Sequence, residues 1–217
     1  GDPLRSRLTV LDNRVSKSRP SIGLVRFQFD MLNQADETVM VQRNWIMFGL
    51  RETGLAVNGS RSLPAGGAAP DPIDTRPAIS ANPYLEDLVV GQTDVLGAYT
   101  YTADDIVRFA RAYDPQRFHV DPVAAKASLF GDLCASGWQT AAVWMKLMAA
   151  HRDRIRTDAL ARGERPARLG PSPGFSDLKW LKPVYAGDTI PYRSTLTGKR
   201  VSASRPGWGL AFHHNSG

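Results

Sequence analysis

The chain has 217 residues, 42% of them hydrophobic, which is enough to bury a core and to make one or two domains. A single cysteine excludes an internal disulfide framework and fits a reducing, cytoplasmic compartment. No secretory or membrane segment is legible, since the most apolar stretch is broken by Gln139, Thr140 and Lys146. The net charge of +6 admits nucleic acid, but the basic residues are scattered arginines with no aromatic platform between them. No nucleic-acid partner is expected, and attraction of a small polyanion, or a plain solvated surface, suits them better.

In chain order, Val25, Phe27, Phe29 and Met31 alternate with Arg26, Gln28 and Asp30, the pattern of a half-buried strand. Asn33 to Glu37 supplies turn residues and Thr38–Phe48 a return strand, so a hairpin is expected. The same N-terminal stretch also recurs at the far end of the chain. Residues 1–31 align without gaps onto 187–217, with twelve of thirty-one positions identical; chance gives roughly two. Arg14, Val15, Ser16, Ser18, Arg19, Pro20, Gly23 and Leu24 match Arg200, Val201, Ser202, Ser204, Arg205, Pro206, Gly209 and Leu210. A repeat of this kind makes the chain a window on two copies of one unit, opening late in the first and closing late in the second. The second copy stops before the equivalent of the 38–48 strand. The expectation is that this strand fills the vacant edge of the second sheet, or that the natural chain runs on. The recurring Arg-Pro dipeptides point to a shared strand-turn geometry. Between the copies, 52–83 is rich in Gly, Ala, Pro and Ser without apolar period, and reads as a linker.

The body starts near Tyr84. Thr102 is a candidate N-cap, with Asp105 three residues later, for a helix whose apolar face is Ile106, Phe109, Ala110 and Tyr113. Pro115 ends that helix and leaves Asp114 at its exit. Asp121-Pro122 is a second N-cap followed by proline at the first helical position. His119 therefore sits on a short connection between two helices, close to Asp114. An acid and a base so placed can hold one water and handle its protons, as hydration or dehydration of a C=C bond requires. Further on, Ser136-Gly137 opens an apolar helix from Trp138 to about His151, carrying Trp138, Ala141, Ala142, Met145, Met148 and Ala149 and expected to be buried on most sides. Its N-terminus offers free N–H groups, and Gly137 allows a carbonyl to come close to the backbone. Residues 152–172 read as a surface loop. His151 reads as a helix C-terminal cation, His213 and His214 as strand or terminal residues, Cys134 as core. No set has metal-ligand spacing, so neither a metal site nor a separate cofactor is expected.

Three stretches together, Tyr-Thr-Ala-Asp-Asp-Ile (101–106), Asp-Pro-Gln-Arg-Phe-His-Val-Asp (114–121) and Phe-Gly-Asp-Leu-Cys-Ala-Ser-Gly-Trp-Gln-Thr (130–140), resemble the MaoC-like dehydratases, the (R)-specific enoyl-CoA hydratases of hot-dog fold. Residues 170–190 resemble the same family's stretch after the central helix, and the likeness covers about 84–217. It implies an α+β hot-dog fold, a long central helix wrapped by an antiparallel sheet, assembled as a homodimer or higher homo-oligomer. The implied domains are a partial first hot-dog unit at 1–51, the linker at 52–83, and a MaoC-like domain at 84–217 without its last strand. It also implies hydration of a trans-2-enoyl-CoA to the (R)-3-hydroxyacyl-CoA, or the reverse, with the acyl-CoA thioester as the polyanion. Carried over by position, Asp114 and His119 activate water and the Gly137 N–H polarises the thioester carbonyl. Ser136, Arg117 and Trp138, which flank these positions, are candidate substrate contacts. Gln116 and Arg117 stand where the family motif has Asn-Pro, and Ser136 where many members have His. The rival readings are a hot-dog thioesterase, which needs a carboxylate on the central helix that 138–151 lacks, and a non-catalytic acyl-CoA-binding or assembly domain.

Overall fold

The computed structural model describes residues 3–51 and 84–217; the stretch read as a linker, 52–83, lies outside the described residues. The chain divides into two compact units, Gly1–Val57 and Asn58–Gly217.

The first unit is a three-stranded antiparallel sheet in the order β1 (Arg5–Val15), β2 (Ile22–Leu32), β3 (Thr38–Gly49). The expected hairpin is present. Its turn is closed by Asn33, whose Oδ1 accepts from the N–H of Ala35 at 2.9 Å and of Glu37 at 3.0 Å. The strand at 38–48 does not complete the C-terminal sheet: β3 takes its hydrogen bonds from β2 in the N-terminal sheet. The simple alternation expected for β2 also fails at Asp30, which is buried. Gln28 Nε2 donates to Asp30 Oδ1 at 2.9 Å and Arg7 Nε lies 3.6 Å from its Oδ2. The buried charge is kept by pairing it with these neighbours.

The second unit carries β4 (Thr93–Thr100), α1 (Ala103–Tyr113), α2 (Arg117–Val120), α3 (Pro122–Lys126), α4 (Gly137–Ala161), β5 (Thr189–Val201) and β6 (Gly209–Ser216), with an antiparallel sheet in the order β4-β5-β6. The sequence repeat is here a repeat of hydrogen bonds. Val15 pairs with Gly23 and Val201 with Gly209, and each first strand skips one residue, between Val10 and Asp12 and between Leu196 and Gly198. Both turns bond Ser N–H to a carbonyl six residues on, Ser16 to Ile22 at 2.8 Å and Ser202 to Trp208 at 2.9 Å. In both, the serine Oγ accepts from the arginine N–H, at 3.2 Å for Arg19 and 3.1 Å for Arg205. The Ser-x-x-Arg-Pro signature is thus a turn built by its serine.

The core lies between α4 and the sheet. Val143 and Met148 pack with Leu96, Tyr101, Ile106 and Tyr192. In β4 the ladder shifts at Gly97, whose φ of +131° admits only glycine, and the bulge seats the strand under Leu147. Two expectations about α4 are corrected. The helix runs on to Ala161, ten residues past His151, because nothing from Arg152 to Ala161 is a breaker, and the residues read as loop are partly helical. It also buries one face rather than most. Gln139, Val143, Leu147, Met148, His151, Ile155 and Ala159 face inward, while Trp138, Ala142, Met145 and Ala149 are exposed. Tyr113, expected in the core, is 76% exposed; it is the last residue of α1, and its ring lies beside that of Phe109, centres 5.0 Å apart.

His151 is consequently a mid-helix residue, buried, with its Nε2 lacking a hydrogen-bond partner and 3.8 Å from Asp94 Oδ2. Nearby on β5 and β6, Ser194 Oγ donates to Asn215 Oδ1 at 2.7 Å, so His213 Nδ1 at 3.1 Å is the donor to Ser194. Burial holds both histidines below the usual imidazole range; Arg152 acts in the same direction on both and Arg154 on His151, while Asp94 opposes. A histidine depressed on folding binds its proton in the unfolded chain first, so stability is full above pH 6.5 and is lost as pH falls through the folded value. Thermal melts from pH 8 to pH 5 should show a falling melting temperature below about pH 6.5, with a shallower fall in His151→Gln. A flat profile in the parent protein would remove this linkage.

Candidate active site

The end of α1, the start of α2 and the start of α4 meet at Asp114. Thr102 caps α1 as expected, its side chain accepting from Asp105 N–H at 3.1 Å, and Asp114 closes the same helix with its N–H on the Ala110 carbonyl at 2.8 Å. Pro115 turns the chain out, so the Asp114 carboxylate leaves the helix axis. Oδ1 accepts from Gln116 Nε2 at 2.9 Å and Oδ2 from Ser136 Oγ at 2.7 Å. Asp121 caps α3 by accepting from Val123 and Ala124 N–H at 2.9 and 3.2 Å. These two caps leave α2 as a single fixed turn, and it carries His119.

His119 is buried, and its Nδ1 lies 2.7 Å from the Cys134 carbonyl oxygen. A carbonyl only accepts, so the proton is on Nδ1 and the lone pair of the neutral ring is on Nε2. That Nε2 lies 3.6 Å from Asp114 Oδ2, too long for a direct hydrogen bond and close enough for one ligand atom to touch both. Phe118, edge-on at 4.5 Å, and Phe130 at 6.4 Å wall the ring. The Cys134 carbonyl is itself aimed by a bridge between Cys134 and Tyr185. Ala135 N–H bonds to Val184 O at 2.7 Å and Ala186 N–H to Leu133 O at 3.4 Å, which leaves the carbonyl between them pointing away, at the imidazole.

Ser136 is fully buried, and its hydroxyl caps α4 through Trp138 N–H at 3.2 Å while donating to Asp114. The sequence placed it as a substrate contact; the structure has it holding the carboxylate to the helix start. Gly137 is the first residue of α4, and no hydrogen bond to its N–H is found among the described residues. A Cβ at Gly137 would meet the Trp180 ring at 2.3 to 2.6 Å, so the absent side chain makes room for an indole. Trp138 is 38% exposed and stands edge-on to Trp180, centres 5.3 Å apart. Arg117 is exposed at the start of α2, and no side-chain hydrogen bond or ion pair of it is found among the described residues. Three participants were not singled out from sequence: Gln116, the Cys134 carbonyl and Trp180. The first was visible only as a departure from the family motif, and the second is a backbone atom with no side-chain signature. The third lay inside the quoted 170–190 stretch without a role.

A model of the MaoC-like domain matches residues 90–206, more than half of the chain and all of the residues just described. The chain belongs to the MaoC-like domain family. It is 30% identical over 106 residues to an uncharacterized protein, YdeM, of Bacillus subtilis (strain 168), the match spanning 49% of this chain and 67% of that one. The crystal structure of a MaoC-like dehydratase from Rhodospirillum rubrum is 34% identical, with a TM-score of 0.50 over 62% of this chain and 84% of that one. A putative MaoC-domain dehydratase from Chloroflexus aurantiacus, 20% identical, superposes with a TM-score of 0.59 over 99% of this chain. That likeness extends to the N-terminal sheet, which resembles a partial second hot-dog unit, and this chain spans 61% of the Chloroflexus one. No helix among the described residues is long and apolar enough to cross a membrane.

Cys134 Sγ is 3.7 Å from His119 Nδ1, a juxtaposition that would suit a nucleophile if the thiol ionised. It does not: burial pushes the thiol up to about 12, with Asp132 adding to the effect. As expected from sequence, Cys134 is core. Iodoacetamide at pH 8 should leave it unmodified in the folded protein and alkylate it once denaturant is added, by mass spectrometry; rapid labelling of the native chain would contradict the assignment.

Proposed function

We propose that this domain hydrates trans-2-enoyl-CoA to (R)-3-hydroxyacyl-CoA, or catalyses the reverse dehydration. The observation that carries the reading is the 3.6 Å gap between Asp114 Oδ2 and His119 Nε2, two acceptors aimed at one position beside the start of α4. Water there gives one hydrogen bond to Asp114 and its other proton to Nε2. As the O–H bond breaks, the oxygen attacks C3 and the C=C pair moves toward C2 and the thioester oxygen. The proton on Nε2 then passes to C2, so one water is added and nothing else is consumed. The Gly137 N–H, at the positive end of a 25-residue helix, supports the charge on the thioester oxygen. The substrate class and the (R) stereochemistry rest on the family.

The departures from the family motif are compatible with this chemistry. Gln116 donates to Asp114 Oδ1 and Ser136 to Oδ2, so both carboxylate oxygens are held as acceptors and the rotamer is fixed. The extended α4 carries Asp153 and Asp158, but both lie more than ten residues beyond Gly137 and are exposed, which leaves the thioesterase reading without its carboxylate.

The deciding experiment follows loss of the enoyl-thioester absorbance of crotonyl-CoA and of longer 2-enoyl-CoAs. Asp114→Asn and His119→Ala should each lower kcat about a hundredfold to ten-thousandfold with unchanged circular dichroism. Ser136→Ala should cost about tenfold, through a loosened Asp114. Near-normal turnover in either dyad variant would refute the mechanism, and silence of the parent protein on every chain length would refute the activity.

A further inference from the structure

We propose that the indole N–H of Trp180 is a second donor to the substrate's thioester oxygen, alongside the N–H of Gly137. The inference rests on the hydratase reading above and adds a residue that neither the motif nor the dyad geometry assigns.

Three observations support it. The atoms nearest to a Cβ built on Gly137 are Trp180 Cε2 at 2.3 Å, Nε1 at 2.4 Å and Cδ2 at 2.6 Å, so the nitrogen-bearing part of the indole abuts the helix start. A Cβ lies about 2.5 Å from its own backbone nitrogen, which puts Nε1 within about 5 Å of the Gly137 nitrogen. Secondly, no hydrogen bond to Trp180 Nε1 is found among the described residues, although the ring is only half exposed. Thirdly, the ring is held. Trp138 stands edge-on to it, and four residues downstream Val184 accepts the Ala135 N–H, so the segment bearing Trp180 is tied to the loop that orients His119.

The chemistry has a place for such a donor. Addition of water at C3 transfers negative charge to the thioester oxygen, which has two lone-pair directions, and one backbone N–H occupies one of them. The indole carries one N–H, has no charge to desolvate and stays protonated throughout the cycle. Donors of this kind act on the transition state more than on the bound ground state, so removal lowers kcat more than it raises KM.

Trp180→Phe keeps the ring over Gly137 and against Trp138 and removes only the N–H; Trp180→Ala removes both. Turnover is measured in each, with melting temperature as the control for folding. In the His119→Ala background, where no turnover competes, the infrared stretch of carbonyl-labelled butyryl-CoA is read when bound. The proposal expects Trp180→Phe to lower kcat about tenfold to a hundredfold with KM changed less than about threefold, and the carbonyl stretch to move back toward that of free butyryl-CoA. Parent-like kcat and carbonyl frequency in Trp180→Phe, with loss only in Trp180→Ala, would reduce Trp180 to a wall and overturn the proposal. If the parent protein turns over no enoyl-CoA and butyryl-CoA does not bind, the hydratase reading itself has failed. Binding with an unshifted Trp180→Phe spectrum overturns the Trp180 donor alone.

Discussion

The hydrogen bond from His119 Nδ1 to the Cys134 carbonyl is the constraint on which the site depends. A neutral imidazole has two nitrogens of opposite role, and a partner on one of them fixes which is left to accept. Here the partner is a backbone carbonyl, which cannot turn or titrate. Its direction is set by the pairing of Leu133–Ala135 with Val184–Ala186, fifty residues away in the chain. The segment after α4 therefore does more than return the chain to the sheet. By closing over 133–135 it sets the direction of the carbonyl that fixes the His119 tautomer.

A second set of contacts fixes the helix start against the sheet. The Tyr101 and Tyr192 hydroxyls lie 2.5 Å apart, both rings buried, and Tyr192 donates to the Thr140 carbonyl at 3.3 Å. With its only proton directed at Thr140, Tyr192 accepts from Tyr101, and the chain of donors runs one way, from β4's end through β5 to the first turn of α4. Burial pushes both phenols above the usual tyrosine range, so they stay neutral and the chain keeps its direction. Ser136 ties the same turn to Asp114. Helix, sheet and dyad are thus registered by short polar links inside an apolar core formed by Leu96, Val143 and Met148.

Features governed by local chemistry were legible in the sequence. The Thr102 and Asp121 caps, the proline stop after Asp114, and the acid and base held between them all depend on residues within five or six positions of one another. What failed depended on distant partners. Periodicity did not reveal which face of α4 would be covered, because its first turns are apolar almost all round. By sequence the helix ends near His151, which reads as a terminal cation; in the fold His151 is mid-helix and lies beside Asp94, from a strand more than fifty residues upstream. The bond from Ser136 to Asp114 is not legible in the sequence, because the two lie twenty-two positions apart. Trp180 carries no local signal for the same reason. The significance of Gly137 is a space, and only the structure shows what occupies it.

The two copies of the repeat separate these influences within one chain. The identical residues cluster at the turn, Arg14 to Pro20 and Arg200 to Pro206, where serine and proline serve the backbone itself. The bulge is also in the same place in both copies, although the skipped residues differ, Leu11 in one and Thr197 in the other. The strand faces have diverged. Tyr192, Ser194 and Leu196 are buried, and their counterparts Ser6, Leu8 and Val10 are exposed. On β6, His213 joins a polar cluster where β2 has Phe27 in contact with Phe29 and Phe48. Register and turn survive because they need only their own backbone. Side-chain identity follows whatever packs against the face, and among the described residues the covering helix and the bridge that aims the Cys134 carbonyl both belong to the second unit.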